Sequence, residues 1–274
     1  QRVLHPHPLD GELLQQSCDL LQQLYPERYE SDNQWITSHP KVTWLVQFLK
    51  ANKTEKVLVI CGDAAVATAL EDYLHLRAGI RSAAFYEGLS LVERDRAAAY
   101  FQEIEHGAQV LVCSEIGSEG RNFQFSQHLV LFDLPLSPDL LEQRIGRLDR
   151  IGQQQTINIH VPYITKTAQE RLFNWYAQGL EVFTEHCAGA QRLYDQFAAE
   201  LHEYCLGEEH NQDFIDRIVV ATSNLKAALD AGRNRLLERH SLDADKADEY
   251  IDQIKAWDDP TSLKEWLELA GEAL

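Results

Sequence analysis

Val57-Leu58-Val59-Ile60-Cys61 is a run of five apolar residues, followed at once by Gly62-Asp63 and an amphipathic stretch to Leu76. An apolar run without alternation reads as a strand buried on both faces, and the aspartate at its exit reads as a helix N-cap. The same pattern repeats downstream. Ile80 to Phe85 is a weaker strand, and Ser90 with Glu93 forms a capping box for a helix reaching Ile104. Val110-Leu111-Val112-Cys113 and Leu129-Val130-Leu131-Phe132 are two more buried strands. Ser137-Pro138 supplies a cap and a first-turn proline for a helix carrying Arg144, Arg147 and Arg150, with Gly152 as its stop. Ile157 to Val161 is the last strand. Strands alternating with helices predict an α/β fold, a parallel sheet sandwiched by helices, with ligands bound outside the carboxyl ends of the strands.

This core occupies residues 35–165. Residues 1–34 read as a linker with one helix, from the spacing of Leu13, Leu14, Leu20, Leu21 and Leu24 between Pro6, Pro8 and Pro26. Residues 166–274 read as an all-α region. Thr167 and Glu170 cap its first helix, and Phe214, Ile218, Ala221, Leu225 and Leu229 make one apolar stripe. Trp257 and Trp266 fall on short terminal helices. This region holds 22 acidic against 11 basic residues.

Composition narrows the function. The 274 residues are 45% hydrophobic and 25% charged, an ordinary globular balance, and no apolar run approaches the ~20 residues of a membrane span. The five cysteines are odd in number and lack C-x-x-C spacing, which points away from a disulfide scaffold or a four-cysteine zinc site and toward a reducing cytoplasm. A formal charge of −18 argues against a broad basic face for nucleic acid, though not against contact through a few arginines. With no methionine at all, the chain is expected to begin inside a longer protein.

The chemistry concentrates in two stretches. In Gln143-Arg144-Ile145-Gly146-Arg147-Leu148-Asp149-Arg150, a continuous helix would project Gln143, Arg147 and Arg150 from one face. Two arginines one turn apart can clamp a γ-phosphate as charge redistributes over its oxygens. Gly146 between them is costly in mid-helix, which suggests a close approach to the backbone. Asp149 reads as orienting or pairing with these arginines. The second stretch, Ser114-Glu115-Ile116-Gly117-Ser118-Glu119-Gly120-Arg121-Asn122, places two glycines past a buried strand, where backbone amides can bind phosphate. Gly88, Ser90 and Arg94 belong to the same sheet edge. Weaker constellations fall away. His186-Cys187 with His202 and Cys205 have no second ligand pair, and Ser114 with His128 and Asp133 lacks a nucleophile elbow. No metal site is expected in this chain.

Taken in order, these stretches resemble the second RecA-like lobe of superfamily 2 helicases, and the Arg-Ile-Gly-Gln ending resembles the Swi/Snf branch of DNA translocases. Lys56–Cys61, Glu87-Gly88 with Glu93–Ala99, Cys113–Phe125 and Ile159–Tyr163 are similar to the bacterial members of that branch that accompany RNA polymerase. The resemblance implies Arg147 and Arg150 as catalytic arginine fingers, and Gly117, Glu119, Gly120 and Gln143 as further ATP contacts. It implies Gly88, Ser90, Arg94, Ser114, Arg121 and Asn122 near the tracked DNA. Ser-Glu-Gly-Arg-Asn stands here where most of the family has a more glycine-rich Gly-x-Gly-x-Asn.

The implied partners are double-stranded DNA, RNA polymerase and an upstream phosphate-loop lobe that binds most of the ATP and Mg2+, in a bacterial cytoplasm at the nucleoid. None of the 14 glycines is followed by lysine, and Asp248-Glu249, the lone Asp-Glu pair, does not follow an apolar strand. The chain is therefore expected to be an inert half of a transcription-linked motor. The alternative is a non-catalytic RecA-like interaction domain.

Overall fold

The computed structural model describes residues 1–9, 20–29, 35–115, 123–149, 155–207 and 211–240. Strands β1 (Arg2–Leu9), β2 (Val57–Ile60), β3 (Ser82–Phe85), β4 (Val110–Cys113), β5 (His128–Leu131) and β6 (Ile157–Ile164) form one sheet in the order β1-β6-β5-β2-β4-β3. Every neighbouring pair is parallel. Val57–Ile60 and Val110–Cys113 are buried at every position, which is why their sequences show no alternation.

The helices are α1 (Leu20–Leu24), α2 (Trp35–Ser38), α3 (Pro40–Ala51), α4 (Ala64–Leu76), α5 (Leu91–Gln102), α6 (Pro138–Ile145), α7 (Ala168–Asn174), α8 (Ala190–Leu206) and α9 (Gln212–His240). Two hydrophobic clusters cover the two faces of the sheet. One, with Val42, Leu45, Val66 and Leu70, packs α3 and α4 on Val57, Val59, Val110, Val112 and Val130. The other packs Phe101, Leu141, Ile145, Leu172 and Trp175 on Leu58, Ile60, Leu111, Leu129 and Ile159. Alternate residues of each strand thus feed opposite cores.

Local signals hold at several ends. The Asp63 carboxylate accepts from the amides of Ala65 and Val66, and Ser90 with Glu93 closes a complete capping box. Thr167 accepts from the Gln169 amide, while Glu170 reaches back to the Lys166 amide. At Ser137 the side chain donates to Gln191 instead of capping α6.

Two readings need correction. Arg2–Leu9 is an eight-residue strand rather than linker, paired with β6 over its whole length. The carbonyls of Gln1 and Leu9 accept from Ile157 and Thr165. By strand alternation the odd positions therefore turn their backbone groups to β6, and Pro6 and Pro8 point theirs outward. A missing N–H costs nothing on an open edge, and it blocks further pairing there. The second correction concerns α6. It ends at Ile145, and Arg147 and Leu148 follow in tight turns bonded to the carbonyls of Arg144 and Ile145. Gly146 is the C-cap of this helix, not its middle.

The chain divides into two compact units, residues 1–225 and 226–274. Within the first, Trp175–Leu180 widens into a π-helix. Gly179 lies there against Ile218 of α9, where a Cβ would come within 2.8 Å of the isoleucine Cγ2. The Thr222 hydroxyl donates to the Gly179 carbonyl, so the first turns of α9 are buried through Phe214, Ile215 and Ile218. Leu229, the last residue of the apolar stripe, is exposed. Leu13, Leu14, Trp257 and Trp266 lie outside the described residues.

Gly107 closes the turn between α5 and β4. It is buried, and a Cβ would sit 2.2 Å from the carbonyl oxygens of both Tyr100 and Glu103. Those oxygens belong to the end of α5 and cannot yield as a side chain would. Gly107→Ala is expected to cost stability at the upper end of the ~1–3 kcal/mol range of overpacking, read as a lowered urea midpoint with an unchanged slope.

Candidate functional site

The carboxyl ends of β2, β4 and β5 deliver Gly62, Ser114-Glu115 and Asp133 to one edge of the sheet. Arg144 enters from α6 and is only 2% exposed. Its Nη1 donates to the Asp133 carbonyl at 2.6 Å and carboxylate at 3.0 Å. Its Nε is 3.0 Å from both Glu115 oxygens, and Nη2 also pairs with Glu115. The Gly62 amide donates to the other Asp133 oxygen at 2.8 Å. Burial pushes the Asp133 carboxyl up, but Arg144, Arg28 and that amide outweigh burial and hold it below the usual carboxylate range. Burial likewise opposes the charge of Arg144, and Asp133 and Glu115 more than restore it.

Beneath this pair lies a second buried group. Lys41 at the start of α3 donates to the Phe132 carbonyl at 3.0 Å. Glu27 is buried, with no hydrogen-bond partner for its carboxylate oxygens among the described residues, and burial pushes it up toward the neutral form. Arg28, exposed, lies over the Tyr25 ring with its Nη2 against Gly62. A Cβ at position 62 would displace that nitrogen, which an exposed arginine can yield, and would come within 3.0 Å of the Asp133 carboxylate, which is held in the buried pair. A cavity of about 430 Å³ opens at this edge, lined by Arg28, Gly62, Glu87, Ser114, Glu115 and Tyr194, among others.

Of the sequence candidates, Gly88 and Ser90 are exposed on the loop beyond β3. Arg94 holds that loop in shape, donating through Nε to the Leu89 carbonyl and through Nη2 to that of Glu87. Ser114 is buried, and its hydroxyl donates to Glu87 at 2.5 Å, so it braces the same loop instead of opening onto solvent. Gln143 is exposed, whereas Arg147, past the end of α6, is 9% exposed. The shared face of Gln143 and Arg147 is therefore lost, because the helix stops between them. Asp149 pairs with Arg2 of β1 at 2.6 Å, a partner outside the arginine stretch. Gly117, Glu119, Gly120, Arg121, Asn122 and Arg150 lie outside the described residues. The chain re-emerges at Phe123, whose amide donates to the Arg147 carbonyl at 3.4 Å. The exit of the glycine-bearing stretch and the arginine turn therefore meet.

Sequence reasoning missed Arg144 as the organising charge. The signal was present, since Leu141, Ile145 and Leu148 mark the buried stripe and Arg144 falls on it. Among the described residues no group of three or more His, Cys, Asp or Glu could hold a metal ion, and no helix is long and apolar enough to cross a membrane.

Residues 40–152 match the family described as helicase conserved C-terminal domain. Residues 156–274 match the RNA polymerase recycling family C-terminal region, and the two follow each other without overlap. By these two matches the chain is RapA-like, a helicase C-terminal lobe joined to an RNA polymerase recycling C-terminal region. Among solved structures, the Sulfolobus solfataricus SWI2/SNF2 ATPase core in complex with dsDNA shares its fold, at 18% identity and a TM-score of 0.52. That match covers 67% of this chain and 39% of the other. The C-terminal part of the Fun30 ATPase domain matches at 19% identity and a TM-score of 0.47, over 66% of this chain and 58% of the other. This RapA-like lobe thus spans less than two thirds of either.

Proposed function

We propose that this RapA-like lobe is the second half of a DNA-dependent ATPase that steps along duplex DNA and acts with RNA polymerase. The reading is supported by the Phe123 amide on the Arg147 carbonyl, which sets the first residue after the glycine-bearing stretch against the arginine turn. Arg147 and Arg150 serve as fingers to the γ-phosphate of ATP held by a separate phosphate-loop lobe. Gly117, Glu119, Gly120 and Gln143 complete the contact, and Mg2+ is held mainly by that other lobe. ATP bound between the lobes supplies the phosphoryl group. This chain supplies positive charge where negative charge redistributes during transfer. Arg147 is buried in the lobe by itself, so its side chain swings outward when the lobes close.

Duplex DNA lies against Gly88, Ser90, Arg121 and Asn122, with Arg94 and Ser114 holding the loop in shape. Contact through few side chains and backbone amides is consistent with the charge of −18, because the acidic surface is left for other partners. The acidic helical region beyond residue 166 is the part that meets RNA polymerase. Closing and opening of the two lobes, driven by nucleotide binding and hydrolysis, gives the step.

The test is steady-state ATP turnover by this 274-residue chain and by a protein carrying both lobes, each with and without duplex DNA. The chain alone is expected to show none, and the two-lobe protein a DNA-stimulated rate. A two-lobe protein that ignores DNA, or that hydrolyses no ATP, would favour the non-catalytic interaction domain instead.

A further inference from the structure

Four histidines meet where the open edge of the sheet carries β1. His5 and His7 come from β1, His128 from β5 and His160 from β6. His7 Nε2 is 3.1 Å from His160 Nδ1, and His160 Nε2 is 3.0 Å from His128 Nδ1. The His5 ring stacks on His160 at 4.7 Å between centroids, and its Nε2 lies 2.9 Å from the Asn158 side-chain oxygen. Trp44 and Phe48 of α3 cover the group from above, Trp44 against His7 at 4.4 Å and Phe48 against His160 at 4.6 Å. Among the described residues, the carboxylate facing the group is Glu55, 4.0 Å from His128 Nε2 and itself half exposed.

Proton counting limits what this chain of rings can hold. Each N···N contact needs one N–H and one lone pair. With His7, His160 and His128 all neutral, both contacts form. One added proton is accommodated, since a charged His160 can donate to both neighbours. Two added protons place five hydrogens on six ring nitrogens, and one contact must then set two N–H groups head to head. A doubly charged stack would also lie under apolar Trp44 and Phe48, with Glu55 near only one ring.

We propose that His5, His7, His128 and His160 form an acid-sensitive latch holding the β1 edge strand on the sheet, closed with at most one added proton and opened by the second. β1 is suited to leave alone. It is an edge strand with a single partner, and its prolines already present no N–H on the outer side. Its other side-chain ties are uneven: Arg2 bonds Glu142, Asp149 and the Val182 carbonyl at one end, against a single bond from the Thr165 hydroxyl to the Leu9 carbonyl at the other. Opening therefore begins at His5–Leu9 while Arg2 stays anchored.

The sign follows from the rings that titrate. Burial, then the neighbouring imidazoles, lower His160 to about 3, and burial also lowers His7 and His128. Groups held below their ordinary value keep their full contribution above about pH 6.5 and lose it as pH falls below that.

Hydrogen exchange on the 274-residue chain between pH 7.5 and 5, normalised to intrinsic rates, tests the latch. The amides of His5, His7 and Leu9 are expected to lose protection about tenfold per pH unit for each proton bound. Val3 should lag, and β2 and β4 should keep their protection. In His7→Phe, which retains a ring against Trp44 and cannot bind a proton, the loss of β1 protection on acidification is expected to be shallower by one proton's share, about tenfold less per pH unit. His128→Gln is the second variant should that one fold poorly. Constant β1 protection in the wild-type chain would overturn the latch, and so would loss shared equally by β2 and β4.

Discussion

Arg147→Ala, placed in a protein carrying both lobes, is expected to lower DNA-stimulated ATP turnover by about 10³-fold or more, with nucleotide affinity changed little. The size follows from the proposed role. A finger stabilises charge that redistributes in the transition state, so its removal falls on kcat instead of on ground-state binding. Arg147→Lys should not restore the rate, because a lysine offers a point charge and not the planar fork that spans two phosphate oxygens. The lysine variant also answers a structural objection. Arg147 is nearly buried and sits where Phe123 bonds its carbonyl, so alanine could loosen the turn. Lysine retains charge and most of the packing. A urea midpoint near wild type together with lost turnover assigns the loss to chemistry. Turnover near wild type in both variants would make the arginine turn structural and sink the motor reading of this residue.

Arg144→Ala should act on stability instead. It removes the direct ion-pair partner of a fully buried aspartate and half of a pair with Glu115. Lys41 and Arg28 contribute to the field at Asp133, but neither makes its hydrogen bonds. Breaking a buried pair from one side typically costs about 3–5 kcal/mol, most of it the penalty of the stranded charge. Asp133→Asn combined with Arg144→Met should cost less than Arg144→Ala alone, since neither charge then remains and the volumes are nearly kept. Urea unfolding of the three variants measures this. A double variant no more stable than the single one would mean that Asp133 is held mainly by the Gly62 amide and not by the arginine.

Both expectations rest on one edge of the sheet, whose parts were unevenly legible. The apolar runs at Val57, Val110 and Leu129 specified buried parallel strands, because a strand covered on both faces has no room for alternation. Asp63, Ser90 and Thr167 marked helix starts, because capping is decided within four residues. The arginine stretch and the glycine pair raise the expectation of phosphate chemistry by residue type alone.

What the sequence could not convey were relations between distant segments. Residues 2–9, with two prolines, look unlike a strand until β6 supplies a partner and the prolines turn to the open edge. The end of α6 before Arg147 depends on turns that close onto Arg144 and Ile145, and on Phe123 arriving from another part of the chain. Asp149 pairs with Arg2, 147 residues away. Local order, set by hydrogen bonds and side-chain periods a few residues long, was determined by the sequence itself. Which charges are buried together, Arg144 with Asp133 and Glu115, was decided only when the sheet brought its carboxyl ends to one edge.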